Sequence, residues 1–159
     1  MKNKKLSLAD FGGGCFWGVE EAFRTEAKGS KTTVGYEGGH VDHPTYEQVC
    51  AHNTGHAETV QVEFDADKIS YEKLLDIFFE HHDPTQLNMQ GADVGENYRS
   101  VIFYHNDAQR DAATERIKQL ESSKKYKNPI VTQVVPAQTF WKAEEYHQQY
   151  LHKRNLGVC

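Results

Sequence analysis

The spacing of apolar residues changes abruptly near the start of the chain. Residues 6–11 have the composition of a short strand, and three consecutive glycines at 12–14 follow directly after it. From Cys15 onward the apolar positions recur at helical spacing, with Cys15, Val19 and Phe23 on one face. This pattern predicts a strand, a glycine turn and a helix, with a cysteine where the turn meets the helix.

Hydrophobic patterning predicts four more strands and three more helices further along the chain. Ser70 is expected to cap a helix that stops before Pro84, residue 106 or 107 is expected to cap a charged helix, and a last helix is expected to begin near Thr139. Helices interleaved with strands predict an α/β or α+β domain with helices packed on a sheet. The additional strands are predicted at 32–36, 60–64, 101–104 and 130–135.

Two long polar stretches lack a regular pattern. One connects the strands at 32–36 and 60–64, and the other, at 85–95, contains Gly, Asn, Gln and Asp without periodicity. Loops of this length are uncommon in a compact domain and are usually functional or disordered. We therefore expect the loop at 85–95 to serve a functional site.

Length and charge narrow the class of protein. The 159 residues are expected to form one domain over 1–159, large enough to bury a core without disulfide or metal staples. A net charge of -5 without a polybasic stripe argues against nucleic-acid and membrane partners. The apolar stretch near the N-terminus is too short for a secretory signal, and no apolar run approaches the roughly 20 residues of a membrane span. We expect a cytoplasmic protein.

The cysteines provide the first candidate chemistry. Cys15, Cys50 and Cys159 are an odd number at wide spacings, which fits neither a disulfide framework nor a Cys-x-x-Cys motif. Backbone N–H groups at the start of the predicted helix point toward the Cys15 sulfur, and such positions lower a thiol pKa. Phe16 and Trp17 can form an apolar wall beside that sulfur. The alternative is that Cys15 is a small buried hydrophobe behind an ordinary glycine turn.

Two other site types have little support. The glycines lack both the Lys-Ser/Thr of a P-loop and the third glycine of a dinucleotide fingerprint. No Cys-x-x-Cys, His-Glu-x-x-His or comparable array occurs, so we expect neither a metal nor a cofactor. The histidines considered as metal ligands are His40, His43, His52, His56, His81 and His82.

The segment Gly14-Cys15-Phe16-Trp17-Gly18 resembles the active-site signature of the A-type peptide methionine sulfoxide reductases. The resemblance continues, in the family's order, over most of the chain. The matching segments are 35–36, 38–40, 44–50, 55–58, 82–85, 90–93, 97–100 and 143–148. Membership of that family implies a two-layer sandwich with a mixed sheet and a ferredoxin-like core. It also implies thiol-dependent reduction of methionine S-sulfoxide, free or in proteins, as a repair activity.

Sulfoxide reduction by a thiol needs a sulfur anion beside a neutral acid, because the sulfoxide oxygen gains a proton as its sulfur is attacked. An apolar pocket would raise the pKa of Glu58 so that it can donate a proton. The hydroxyl groups of Tyr46 and Tyr98 can hydrogen-bond the oxygen as negative charge develops there. Taken alone, Glu58 is more typical of a solvated strand face, and buried tyrosines are more often core residues.

The resemblance assigns a role to each residue of this constellation. Residues 93–95, taken alone, would be an ordinary turn. The implied roles are Cys15 as nucleophile, Glu58 as general acid, Tyr46 and Tyr98 as oxygen-binding residues, Phe16 and Trp17 as the pocket for the substrate methyl group, and Asp93 as a polar residue that helps to arrange the pocket.

Attack by Cys15 would leave a sulfenic acid, which condenses readily with a second thiol. We expect that thiol to be Cys159, at the end of a mobile tail over about 153–159, with Cys50 as the rival. The resemblance implies that thioredoxin, or dithiothreitol in vitro, reduces the resulting disulfide of a monomeric enzyme.

Two alternatives share part of this pattern: a peroxide-reducing thiol enzyme, and a non-catalytic module that binds peptides against Phe16 and Trp17.

Overall fold

The computed structural model describes residues 6–154. Strand β1 (Ser7–Gly13) runs into the glycine turn, and helix α1 (Phe16–Glu26) begins directly after Cys15, which is its N-cap residue. Gly14 has a φ of +97°, a left-handed conformation that a residue without Cβ adopts at little cost. The predicted strand, turn and helix are therefore confirmed.

Within residues 6–154, the other elements are seven strands and four helices. In chain order they are β2 (Lys31–Glu37), α2 (Tyr46–Cys50), β3 (Ala57–Phe64), α3 (Tyr71–Glu80), β4 (Met89–Gln90), β5 (Asp93–Val94), β6 (Ser100–Tyr104), α4 (Asp107–Ser122), β7 (Gln133–Pro136), β8 (Trp141–Lys142) and α5 (Tyr150–Lys153). Ser70 caps α3 and Asn106 caps α4 through side-chain oxygens, as predicted.

Six strands form one mixed sheet in the order β7-β6-β1-β3-β2-β8, and β4 and β5 form a separate two-stranded ribbon. All neighbours in the large sheet are antiparallel except β6 and β7, which are parallel. The units β1-α1-β2 and β3-α3-β6 interleave, so that their strands lie in the order β6-β1-β3-β2. This is the ferredoxin-like arrangement, and the predicted α+β sandwich with a mixed sheet is confirmed.

The core lies between the sheet and the layer of helices α1, α3 and α4. Phe11 of β1 stacks on Phe23 of α1 and packs against Phe78 of α3, with ring centroids 5.1 Å apart in both pairs. A smaller apolar cluster around Val101 and Phe103 covers the opposite face of the sheet. Helix α1 is therefore anchored along its length, which fixes the position of Cys15 at its start.

Three details differ from the sequence-based expectations. The strand predicted at 130–135 begins only at Gln133, the first polar loop contains helix α2, and the loop at 85–95 contains the β4–β5 ribbon. Helix α2 is held by a capping box in which Thr45 and Gln48 bond each other's backbone N–H groups. Local capping and pairing therefore order segments that lack apolar periodicity.

The helix predicted from Thr139 is wrong. Residues 141–142 instead form β8, which pairs with the otherwise open edge of β2, and a one-turn 3-10 helix at Glu145–His147 precedes the short α5. The side chain of Gln148 bonds both the N–H and the C=O of Val34 in β2. Pairing with an exposed strand edge has overridden the helical spacing of the aromatic residues.

The proposed resolving residue Cys159 lies outside the described residues. Residues 153 and 154, assigned to the tail from sequence, are described, and Lys153 is the last residue of α5. Among the described helices, none combines the length and the hydropathy that crossing a lipid bilayer requires.

Candidate active site

Cys15 opens into a cavity of about 320 Å³. The residues that line it come from α1, α2, the β4–β5 ribbon, the turn before β6, and α5. They are Cys15, Trp17, Gly18, Tyr46, Asp93, Tyr98 and Leu151. The structure thus brings together five of the residues predicted for the site, from segments more than 80 positions apart in sequence.

The sulfur of Cys15 is held at the start of α1 as predicted, but its pKa is not lowered. Backbone N–H groups of Trp17 and Gly18 donate to the sulfur and favour the thiolate. Burial opposes them most strongly, the negative charge of Glu58 adds to that effect, and the pKa of Cys15 rises to about 12. Burial therefore favours the thiol form of Cys15 over the thiolate.

Glu58 is buried beside the start of α1, with only 1% of the residue exposed. Its carboxyl group accepts hydrogen bonds from the backbone N–H of Phe16 and from Nδ2 of Asn97, both at 3.2 Å. Burial outweighs these donors and raises the pKa of Glu58 to about 7, and the charge of Asp93 contributes in the same direction. The alternative of a solvated face residue is excluded, and the expected rise in pKa is found.

The two tyrosines reach the cavity from separate elements. Tyr46 is the first residue of α2, and Tyr98 ends a one-turn 3-10 helix at Glu96–Tyr98. Both are half-buried, and their pKa values are raised by burial and by the charge of Glu58, so both phenols carry their protons. The Tyr46 hydroxyl also hydrogen-bonds Cys50, which is half-buried rather than enclosed.

The two aromatic residues after Cys15 have different positions. Trp17 lines the cavity, and its indole stacks on Tyr150 at 3.8 Å between ring centroids. Phe16 is fully buried and packs against Tyr36 and Tyr46 rather than lining the cavity. The predicted apolar wall is therefore formed by Trp17, with Phe16 supporting Tyr46 from behind. Asp93 is exposed at the cavity rim.

Three further residues were not singled out by the sequence. Asn97 is buried and bonds Glu58 directly. His147 accepts a hydrogen bond from Nε1 of Trp17 at 2.9 Å, and the carboxylate of Glu144 accepts from the backbone N–H of Tyr46 at 3.0 Å and from the hydroxyl of Tyr36 at 2.8 Å. All three fall within segments that match the family, which is the signal that could have identified them.

One group of side chains places possible metal-ligating atoms close together. Within residues 6–154, the one group of three side chains whose ligand atoms lie within 4.8 Å of one another is Glu26, Glu80 and His81, and all three are exposed. Exposed acidic groups of this kind are common without an ion.

A larger cavity of about 540 Å³ lies beside His82, between the end of α3 and residues 125–128, and no cysteine lines it.

The site combines the Cys15 thiol and two neutral phenols around one cavity, and the carboxyl group of Glu58, with a pKa near neutrality, is buried behind the start of α1 and does not line that cavity. A sulfur nucleophile can attack an electrophilic centre there, while the carboxyl and phenol groups donate to the oxygen bonded to it. Trp17 supplies an apolar surface for the rest of the bound group. This arrangement is suited to removing an oxygen atom from a small, partly apolar compound.

Comparisons with known proteins agree with this chemistry. The chain is 60% identical over 155 residues to peptide methionine sulfoxide reductase MsrA of Methanothermobacter thermautotrophicus, covering 98% of this chain and 92% of the relative. Reduced Mxr1 of Saccharomyces cerevisiae superimposes with a TM-score of 0.91 at 34% identity, covering 99% of this chain and 91% of that one. Mxr1 in complex with Trx2 gives a TM-score of 0.65 at 25% identity, covering 94% and 87%. The family model for peptide methionine sulfoxide reductase matches residues 7–159, and the chain belongs to that family.

Proposed function

We propose that this chain reduces methionine S-sulfoxide to methionine, both as the free amino acid and within oxidised proteins. The observation that carries the proposal is the buried Glu58, with a pKa of about 7, at the same helix start as the Cys15 thiol. A carboxyl group that gains and loses a proton near neutral pH can act as a general acid. Family membership supports methionine sulfoxide as the substrate class.

The reaction needs one proton on the pair formed by Cys15 and Glu58. That proton moves from the thiol to the Glu58 carboxylate, the thiolate attacks the sulfoxide sulfur, and Glu58 delivers the proton to the oxygen. The oxygen is transferred to the Cys15 sulfur, so that Cys15 becomes a sulfenic acid and methionine leaves. Trp17 packs against the substrate methyl group, and Phe16 supports this surface through Tyr46.

Tyr46 and Tyr98 donate hydrogen bonds to the sulfoxide oxygen as it becomes negative. Both hydroxyl groups keep their protons over the physiological range because burial and the charge of Glu58 raise their pKa values. Burial raises the pKa of Glu58, and the negative charge of Asp93 at the rim adds to that rise. Removal of one such oxygen-binding donor typically lowers turnover by about 10²–10³-fold.

The sulfenic acid is resolved by Cys159, and the disulfide is reduced by thioredoxin or by dithiothreitol. No metal or organic cofactor is required for these steps, because thiols supply both electrons. A yeast relative of this fold has been solved in complex with Trx2, which supports thioredoxin as the partner. Reduction by thioredoxin also fits a cytoplasmic location, where thiols are kept reduced.

The test uses Cys15→Ser and Glu58→Gln, with Glu63→Gln on the same strand as the control. Cys15→Ser should abolish reduction of stereochemically pure methionine sulfoxide. Glu58→Gln should slow it by about 10²–10⁴-fold, since an amide cannot supply the proton. Peroxide reactivity of Cys15 should survive in Glu58→Gln. Equal loss of both activities would count against the acid role of Glu58, and binding of oxidised peptides without turnover would favour a binding module.

A second test concerns the resolving thiol. Cys159→Ser should release one methionine per chain and then fail to cycle with thioredoxin, whereas Cys50→Ser should cycle normally. Peptide mapping of the substrate-oxidised enzyme should find a disulfide between positions 15 and 159. Sustained cycling of Cys159→Ser, lost on further replacement of Cys50, would instead assign the role to Cys50.

A further inference from the structure

Cys15 borders a second cavity besides the one described above. This cavity measures about 350 Å³ and shares only Cys15 and Gly18 with the first. Its lining residues are Gly13, Gly14, Cys15, Gly18, Val19, His81, Gln90 and Gly91. We call it the glycine groove, because half of its lining residues are glycines.

Two of the four glycines that line the glycine groove have open space beside them. A Cβ atom added at Gly18 or at Gly91 would meet no other atom within 4 Å. Glycine walls let another molecule come close to the backbone, since no side chain stands in the way. By contrast, the walls of the first cavity include the large side chains of Trp17, Tyr46 and Tyr98.

Hydrogen bonds within the loop hold the outer wall of the glycine groove in place. The backbone N–H of Gly91 donates to Oε1 of Gln86 at 2.8 Å. The side chain of Gln90 accepts from the backbone N–H of Asp83 at 3.0 Å and donates to the Asp83 carbonyl at 2.5 Å. The groove is therefore formed before any ligand binds.

The chemistry of resolution requires a second direction of approach. In the proposed reaction the oxygen of the sulfenic acid lies in the first cavity, where Tyr46 and Tyr98 hold it. A thiolate that displaces this oxygen attacks the sulfur roughly in line with the breaking S–O bond, and hence from the far side. The departing oxygen lies in the first cavity, and the glycine groove gives a separate path to the same sulfur.

We infer that the glycine groove is the path by which the second thiol reaches the Cys15 sulfenic acid. This inference rests on the proposed function. The attacking thiol gives up its proton to solvent, its sulfur bonds to the Cys15 sulfur, and the S–O bond breaks. The departing hydroxide takes a proton from solvent and leaves as water, while Cys15 is reduced from sulfenic acid to disulfide. The thiol can come from Cys159 or from an external reductant.

Narrowing the glycine groove tests this path without touching the first cavity. Gly91→Trp and the milder Gly91→Asn place side chains in the open space at residue 91, where φ is +58°. The matched controls are Gly29→Trp and Gly29→Asn, since Gly29 also has a positive φ and open space around it but lies outside both cavities. Asn is included because it tolerates the left-handed conformation better than other side chains.

Two steps are measured separately in each variant after mixing with one equivalent of methionine sulfoxide. Methionine release should change less than about twofold in Gly91→Trp, whereas disulfide formation should slow by about tenfold or more, a rise of ~1.4 kcal/mol in the barrier. Gly91→Asn should show a smaller slowing, and the Gly29 variants should show none. Dithiothreitol acting on the Cys159→Ser background provides the external-thiol arm.

The outcomes separate this inference from the proposed function. If Gly91→Trp slows the attack of both Cys159 and dithiothreitol on the sulfenic acid, both thiols use the glycine groove. If it slows the attack of one thiol alone, the groove is the path of that thiol. Unchanged resolution in a Gly91→Trp enzyme that still releases methionine would overturn the inference. Equal slowing of methionine release and resolution would also overturn it, since the groove would then hold substrate. Failure of the unsubstituted enzyme to release methionine would instead refute the proposed function.

Discussion

At the scale of single residues, burial decides the protonation state of the site. The N–H groups at the start of α1 stabilise a negative sulfur, yet the pKa of Cys15 rises to about 12 because desolvation and the charge of Glu58 are larger. Glu58 accepts two hydrogen bonds and still has a pKa of about 7. The two groups titrate as a pair, which loses its first proton near neutral pH.

We expect the rate of the sulfoxide step to rise as the pH increases through about 7. Below that pH Cys15 and Glu58 together hold two protons, so no thiolate is present. Above it they hold one proton, which is the number needed for a thiolate at Cys15 beside a protonated Glu58. Single-turnover methionine release, measured from about pH 5 to about pH 9 so that the range extends roughly two units on either side of that value, checks this expectation. In Glu58→Gln the rise near pH 7 should vanish, and the pKa of Cys15 measured by alkylation should fall. A flat profile in the unsubstituted enzyme would contradict the pairing.

At the scale of elements, the segment after β8 holds the site together from the edge of the sheet. The carboxylate of Glu144 links the N-terminus of α2 to Tyr36 of β2. A few residues later, Gln148 occupies the backbone groups of Val34 in the same strand. Tyr46 is therefore positioned by contacts that originate almost 100 residues away in sequence.

We expect Glu144→Gln to lower kcat by about tenfold while leaving the alkylation rate of Cys15 unchanged. The substitution weakens charged hydrogen bonds worth roughly 1.5–3 kcal/mol each and lets Tyr46 move away from the oxygen site. Steady-state kinetics with separate kcat and KM values is the appropriate measurement. The control is Glu145→Gln, because the neighbouring Glu145 is exposed. A change in KM alone would show that Glu144 affects substrate binding rather than the position of the oxygen donor.

At the scale of the whole molecule, the sheet separates the site from a second group of buried charges. Glu58, Phe11 and the helices share one face, whereas Asp10 and Glu37 are fully buried on the other. The carboxyl groups of these two residues can hydrogen-bond each other once one of them is protonated. Burial raises the pKa of Glu37 well above its usual range, and the adjacent Asp10 adds to the rise. The protonated form of Glu37 is therefore favoured.

We expect Glu37→Gln to make the free energy of unfolding less sensitive to pH above neutrality. A carboxyl group with a raised folded-state pKa contributes stability that is complete below its unfolded pKa and is lost as the pH rises toward the folded value. The native state then holds one more proton than the unfolded state, so stability falls by up to about 1.4 kcal/mol per pH unit. An amide keeps its donor at every pH and can bond Asp10.

Urea unfolding at about pH 6, about pH 7.5 and about pH 9 measures how the free energy of unfolding depends on pH in Glu37→Gln and in the unsubstituted chain. Glu115→Gln on α4 is the control, because Glu115 is exposed. Parallel pH dependences in Glu37→Gln and the unsubstituted chain would show that the buried pair does not govern alkaline stability.

Much of the architecture was predictable from local signals. The glycine turn before Cys15, the caps at Ser70 and Asn106 and the alternating strand of β3 all act within a few residues of their own position, so the sequence by itself determined them. The roles proposed for the residues of the site rest on the family resemblance, because no local rule distinguishes a buried Glu58 from a solvated one.

Tertiary structure alone decided the rest. The pKa of Cys15 depends on how much solvent the fold removes, and Asn97, Glu144 and His147 gain their roles from partners that are distant in sequence. The segment after residue 139 has helical spacing, yet it follows the edge of β2 because that strand offers unpaired backbone groups. Desolvation and non-local pairing are properties of the packed chain, and the order of residues along it does not specify them.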